Sequence, residues 1–192
     1  MKWVAAAIIV VLPIYTFLTL KYRKPGPAFQ PYQDMHDRAV VLRLLSGGYQ
    51  RITVDARRPA ESVARIGGAR VHAAPGGIPH ALETSLIDPP SLPDEIVEIS
   101  APATAAADRD YPIELTCLLP DNHRQLSGAH LYLKGSAVAI IPDFERLPGQ
   151  LTARTRESAV RITVPAGVLK AGSYRVTLIG ERASQAWTLE VR

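Results

Sequence analysis

The strongest constraint in this sequence is an uncharged, largely apolar run near its amino terminus. The run covers 18 residues from Trp3 to Leu20 and lies between Lys2 and Lys21. As an α-helix rising about 1.5 Å per residue, it would reach about 27 Å, close to the thickness of a bilayer's hydrocarbon core. The sequence therefore predicts a single transmembrane helix, with residues 1–24 forming the anchor and its flank.

A cleaved secretory signal peptide is the alternative interpretation of this run. The run is longer than the roughly 7–15 apolar residues of a signal core. It also ends in the bulky residues Phe17, Leu18 and Leu20, and no A-x-A-like cleavage site precedes Lys21. These features favour an uncleaved anchor.

Some residues of the run indicate how it would contact its surroundings. A mid-helix proline removes one backbone donor and kinks the helix, which suits packing against neighbouring helices. Small alanines permit close helix approach, and aromatic side chains are enriched at membrane interfaces. We therefore expect Trp3, Ala6, Pro13, Tyr15 and Phe17 to contact lipid or partner helices.

The two signals for membrane orientation disagree. Lys21, Arg23 and Lys24 outnumber Lys2, and counting charges would place the body in the cytoplasm. A short leader before the anchor and a large β-rich body after it favour the opposite orientation. We predict a bacterial inner-membrane protein with a periplasmic body.

Charge and cysteine content exclude several classes of function. The formal net charge is +4, but the 22 Lys and Arg residues are scattered among 18 Asp and Glu residues without a basic block. This pattern gives no support for nucleic-acid binding. The single cysteine, Cys117, excludes an internal disulfide, a CxxC redox pair, a CxxCH haem attachment and a multi-cysteine zinc site.

Residues 25–93 are predicted to form an extended membrane-proximal segment with little structure of its own. A proline-rich stretch is followed by a short amphipathic helix that begins at Asp34, where a carboxylate can cap the helix. Its predicted apolar face consists of Val40, Val41, Leu44 and Leu45. Tyr49–Val54 alternates as a strand does. Residues 73–93 are rich in Pro and Gly and form either a disordered linker or an arm that wraps a neighbour.

Residues 94–192 contain short alternating segments separated by turn signals. Seven such segments in about 100 residues predict an antiparallel β-sandwich. They are Glu95–Ser100, Ile113–Leu119, His130–Lys134, Val138–Ile141, Val160–Val164, Tyr174–Ile179 and Trp187–Val191.

The stretch VPAGVLKAGSYRVTLIGE, residues 164–181, resembles the E–F corner and F strand of immunoglobulin-like domains. The resemblance implies a seven-stranded immunoglobulin-like sandwich and places Tyr174 at the tyrosine corner. There its hydroxyl would bond to the chain near Leu169 or Lys170. Cys117 matches the first immunoglobulin cysteine, but Val176 stands where the second would be, so the disulfide is absent. Cys117, Tyr174 and Val176 are therefore predicted to have structural roles.

No motif in the sequence identifies a reaction. The five histidines lack H-x-H or HExxH spacing, and no serine lies in a G-x-S-x-G motif. We therefore predict no catalytic, cofactor-binding or metal-binding residue, and Cys117 is interpreted as a small buried hydrophobe.

Together these features predict a non-catalytic, single-pass accessory subunit of a bacterial membrane complex of respiratory or photosynthetic electron transfer. Its expected partners are integral membrane subunits and the lipid bilayer, without nucleic acid, a small-molecule substrate or a cofactor of its own. A stand-alone membrane-tethered binding module or envelope assembly factor is the second hypothesis. An enzyme whose site has no recognisable motif is the third.

Overall fold

The computed structural model describes residues 2, 11–13, 15–19, 21, 31–59, 68–149 and 151–192. The chain divides into two compact units, Met1–Asp37 and Arg38–Arg192. The helices whose two ends lie among the described residues are α1 (Pro31–Ser46) and α2 (His80–Glu83). The strands are β1 (Gln50–Arg57), β2 (His72–Pro75), β3 (Glu95–Ser100), β4 (Thr104–Ala105), β5 (Tyr111–Leu118), β6 (Arg124–Lys134), β7 (Ala137–Arg146), β8 (Glu157–Val164), β9 (Gly172–Leu178) and β10 (Ala183–Val191).

The predicted transmembrane helix is not supported by the described part of the chain. Residues 11–13 and 15–19 are helical, whereas 3–10, 14 and 20 of the predicted span lie outside the described residues. Among the described residues, no helix combines the length and the apolar character needed to cross a membrane. This finding overturns the single-pass prediction.

Ten strands form one sheet, and eight of them close into a β-barrel. Around the ring the order is β10, β3, β5, β8, β1, β6, β7, β9 and back to β10. Most neighbours are antiparallel, but β7 and β9 run parallel, as do β10 and β3 at the single bridge from Ala183 to Glu95. The short strands β2 and β4 both pair with β10.

The predicted immunoglobulin-like sandwich is wrong because the strands pair in a different order. β6 forms a hairpin with β7, and β9 then adds to the far side of β7 in a parallel ladder. In the predicted fold the sandwich would consist only of residues 94–192. In the barrel, β1 pairs with β6 through residues 50–54 and with β8 through residues 55–57. β1 thus closes the ring between β6 and β8, which would otherwise be the two free edges of one open sheet.

The β6–β7 hairpin has a two-residue loop, Gly135 and Ser136, between the paired residues Lys134 and Ala137. Gly135 has a φ of +58°, in the left-handed region that glycine adopts without steric cost. Such loops match the twist of the two strands they connect. This local chemistry fixes the register of the longest ladder in the barrel.

The barrel interior is filled by side chains from alternate positions of its strands. β8 shows the period of two clearly, with Val160, Ile162 and Val164 buried between more exposed neighbours. Trp187 of β10 is fully buried in this core. Its Nε1–H donates to the hydroxyl of Tyr111 at 3.1 Å, and that hydroxyl donates to the Pro102 carbonyl at 2.8 Å.

A second, smaller core lies on the outer face of β6 and β7. It joins Leu44 of α1, Leu82 of α2, Tyr132, Ile141 and Ile179. The segment 73–93, for which the sequence left two interpretations open, contains β2 and α2 and packs against the barrel through this core. The segment therefore wraps the chain's own body.

Candidate functional site

The predicted contact residues of the amino-terminal run fall into two groups. Trp3 and Ala6 lie outside the described residues. Pro13, Tyr15 and Phe17 are helical and exposed, Tyr15 by 69% and Phe17 by 64%. Large apolar side chains are uncovered at Val11, Leu12 and Leu18 as well.

A cation lies at the carboxyl end of this apolar surface. The Nζ of Lys21 is 5.9 Å from the centroid of the Phe17 ring, within the range of a cation–π contact. A lysine stem that lies along apolar groups while its ammonium stays in water is typical of a boundary between an apolar and an aqueous phase. The surface can therefore bind a partner that is apolar along most of its length and polar at one edge.

The body unit has its own exposed apolar surface on α1. The sequence predicted Val40, Val41, Leu44 and Leu45 as one face of this helix. Val40 and Leu44 do pack toward the second core, but Val41 and Leu45 are exposed, as is Leu42. Sequence reasoning missed Leu42, although the run AVVLRLL has apolar residues on nearly every side, which a helix buried along one face does not need.

The three residues with predicted structural roles all lie in the barrel. Cys117 is fully buried, its Sγ donates to the Ser158 carbonyl at 3.4 Å, and burial raises the pKa of its thiol to about 12. Val176 is buried on β9. The Tyr174 hydroxyl accepts a hydrogen bond from the Lys170 backbone N–H at 3.1 Å, a contact the sequence predicted although the immunoglobulin topology is absent.

Titratable groups in the barrel wall are engaged with neighbouring strands. Glu114 of β5 is fully buried, and its Oε1 accepts a hydrogen bond from Arg161 Nε on β8 at 2.7 Å. His130 Nε2 lies 2.7 Å from Nη2 of Arg51 on β1. Burial, together with the Arg51 charge, lowers the pKa of His130. These pairs connect adjacent strands and give each group a role in the wall.

Metal coordination has no geometric support within the described ranges. There, no group of three or more His, Cys, Asp or Glu side chains is placed to hold an ion. His123 contacts the Leu151 carbonyl, 3.3 Å from its Nδ1, and His80 lies 3.8 Å from a Glu83 carboxylate oxygen.

Comparison with protein-family models, with curated proteins and with solved structures found no match.

Proposed function

We propose that this protein is a non-catalytic accessory subunit of a bacterial membrane complex, bound to an integral membrane partner through its apolar amino-terminal segment. The observation that carries the proposal is the set of exposed apolar side chains at Val11, Leu12, Tyr15, Phe17 and Leu18. Contiguous exposed apolar surface marks sites that bind protein or lipid.

The distribution of charge favours a partner at the membrane. The apolar residues from Trp3 to Leu20 are bounded by Lys2 and Lys21, and further cations, Arg23 and Lys24, follow. Anionic headgroups attract basic residues beside an apolar segment. A partner embedded in lipid offers an apolar surface for the run and anionic headgroups at its edge.

The buried Cys117 and Glu114 of the body contribute to the fold, which favours a binding role for this unit. Cys117 is enclosed in the core, and Glu114 is enclosed between strands beside Arg161. Exposed residues of α1, namely Val41, Leu42 and Leu45, supply a separate apolar surface on the body. This surface gives the bound subunit a second contact.

The experiment is to solubilise membranes of the native host in mild detergent and to follow the tagged full-length protein on a native gel. The proposal expects comigration with a pigment- or haem-containing complex. The double variant Leu12→Glu and Phe17→Glu should abolish comigration, because two carboxylates would have to be buried in an apolar interface.

The control is Val97→Glu. Val97 is 58% exposed on β3, so the variant adds one of the same carboxylates to an exposed apolar position of the body. It should comigrate as wild type does. A wild-type band at the size of the monomer would refute the subunit proposal and leave the stand-alone binding module as the remaining hypothesis.

Protease added to spheroplasts tests whether the body lies in the periplasm. The protease should digest the body if it lies there.

A further inference from the structure

One end of the barrel holds a cavity of about 270 Å³. β5 and β1 end at this edge, and β8 and β6 begin there, because neighbours in the order β5, β8, β1, β6 are antiparallel. The terminal residues of these four neighbouring strands therefore lie around a single opening at one end of the barrel. The lining of the cavity includes Arg58, Arg124, Arg154, Glu157 and Ser158.

The lining is cationic. It contains three arginines, Arg58, Arg124 and Arg154, and one acid, Glu157. Arg124 is held by Asp121, with Nε and Oδ2 3.4 Å apart, and by the Ser91 hydroxyl. Within the described part of the chain, Arg58 and Arg154 form no ion pair, which leaves two guanidinium groups available to a ligand.

The acid beside Arg124 stays ionised, which fixes the charge of the site. The His123 backbone N–H donates to Asp121 at 2.8 Å, and this bond, with help from Arg124, holds the pKa of the carboxyl below its usual range. Three cations against Asp121 and Glu157 leave a net charge of +1. The preferred ligand is therefore an anion.

A buried hydroxyl in the wall of the cavity supplies the second, independent observation. Ser158 lines the cavity but is only 5% exposed, and its Oγ has no hydrogen-bond partner among the described residues. Ser158 follows the alternation of Val160 and Ile162 on β8, so its side chain belongs to the inward-facing set. Buried polar atoms are nearly always paired, and an unpaired one calls for an explanation. The Oγ is closed to solvent here, so the side chain has to rotate about χ1 to donate its proton to a ligand in the cavity, and a ligand bound in this way provides the explanation.

We propose that this cavity is a binding site for the phosphate group of a small soluble molecule, held by Arg58, Arg154 and the Ser158 hydroxyl. A guanidinium fork matches phosphate oxygens in a bidentate manner. A carboxylate offers two oxygens, which one such fork saturates, whereas a phosphate has three terminal oxygens and carries a charge of about −1.5 to −2 at neutral pH. Two arginines and a hydroxyl suit the larger anion.

The test is isothermal titration calorimetry of the full-length protein with inorganic phosphate and, at matched ionic strength, with acetate. Wild type should bind phosphate more tightly than acetate. Ser158→Ala should weaken phosphate binding about tenfold, the effect of one hydrogen bond to a charged group. Arg154→Gln should weaken it by a similar factor, and Arg58→Gln is a second variant should Arg154→Gln misfold.

The matched control is Arg175→Gln, which removes one exposed cation from β9. Arg175 pairs with Ala137, at the start of β7, and so lies at the opposite end of the barrel. This variant should bind phosphate as wild type does. Equal weakening by Arg175→Gln, acetate binding as tight as phosphate, or unchanged binding in Ser158→Ala would each overturn the proposal. Binding to phosphatidylglycerol vesicles that soluble phosphate fails to displace would overturn the soluble ligand.

Thermal unfolding distinguishes a ligand-binding role of Ser158 from a purely structural one. Without phosphate, Ser158→Ala should melt at the same temperature as wild type or higher, since the variant loses an unpaired buried hydroxyl. With phosphate, only wild type and Arg175→Gln should gain the full stabilisation expected for a ligand that binds the native state. A variant that melts lower but keeps the full phosphate response would contradict the assigned role of Ser158.

Discussion

The hydroxyl of Tyr111 provides the sharpest test of how the barrel core is stabilised. It accepts a hydrogen bond from Trp187 Nε1 and donates one to the Pro102 carbonyl. Tyr111→Phe keeps the ring but removes both bonds. Trp187 is fully buried, so its N–H is left without an acceptor, whereas Pro102 is only partly buried and its carbonyl can turn to water.

The cost follows from this asymmetry. Leaving the buried Trp187 N–H without an acceptor costs about 2 kcal/mol. Losing the bond to the Pro102 carbonyl, which water can replace, costs about 1 kcal/mol. Tyr111→Phe should therefore lower the free energy of unfolding by about 3 kcal/mol. Tyr174→Phe removes one partly buried bond, from the Lys170 N–H, and should cost about 1 kcal/mol.

Urea unfolding of both variants, followed by circular dichroism, measures the difference. The variant Trp187→Phe, alone and combined with Tyr111→Phe, completes a double-mutant cycle in which the cavity left by the indole cancels. A coupling energy of about 2 kcal/mol is expected. Equal costs for Tyr111→Phe and Tyr174→Phe, or a coupling energy near zero, would refute the reasoning.

The same phenol predicts a pH effect. Burial raises the pKa of Tyr111 from its ordinary value of 10.0 to about 12. A raised pKa means that the native state binds the proton more tightly than the unfolded state, so stability is complete below pH 10 and declines as the pH rises toward 12. Wild type should therefore lose more stability over this interval than Tyr111→Phe, by an amount on the order of 3 kcal/mol.

Two further predictions concern other buried groups. Cys117 should react with a thiol reagent only when the protein unfolds. Burial raises the pKa of its thiol from 9.0 to about 12, so the stability it contributes is complete below pH 9 and declines as the pH rises toward 12. In alkaline urea titrations, Cys117→Ala should remove this decline. Arg161→Ala should lower the free energy of unfolding in urea by about 2–3 kcal/mol, at or below the low end of what breaking a buried pair costs, because Arg161 is half exposed. Adding Glu114→Gln should recover part of this loss. No recovery in the double variant would contradict the pairing.

The sequence predicted most of the strands because alternation is a local property. Each of the seven candidate strands in residues 94–192 lies in or overlaps a strand of the barrel, and Tyr49–Val54 overlaps β1. Pairing order is not local. The KGSA turn at Gly135 specifies the β6–β7 hairpin, but nothing near Gly172 indicates that β9 will add in parallel to β7.

The exposed apolar residues were only partly predictable. The period of α1 cannot distinguish Val40, which packs inward, from Val41, which does not, because the run is apolar on nearly every side. The resemblance of residues 164–181 to an immunoglobulin corner had a real local basis, since the bond from Lys170 to Tyr174 is present. A local corner does not determine the topology of the strands around it.

The cationic cavity could not be predicted from sequence because its residues converge only when the ring closes. Arg58 follows β1, Arg124 begins β6, and Arg154 precedes β8, so the three are far apart in the chain. They meet because β1 inserts between β6 and β8, the same insertion that rules out the sandwich. The insertion of β1 between β6 and β8 therefore accounts for both the barrel topology and the candidate site. Removing the β1 pairing should open the ring and disperse the arginines together, so a variant that weakens this pairing should lose stability and phosphate binding in parallel.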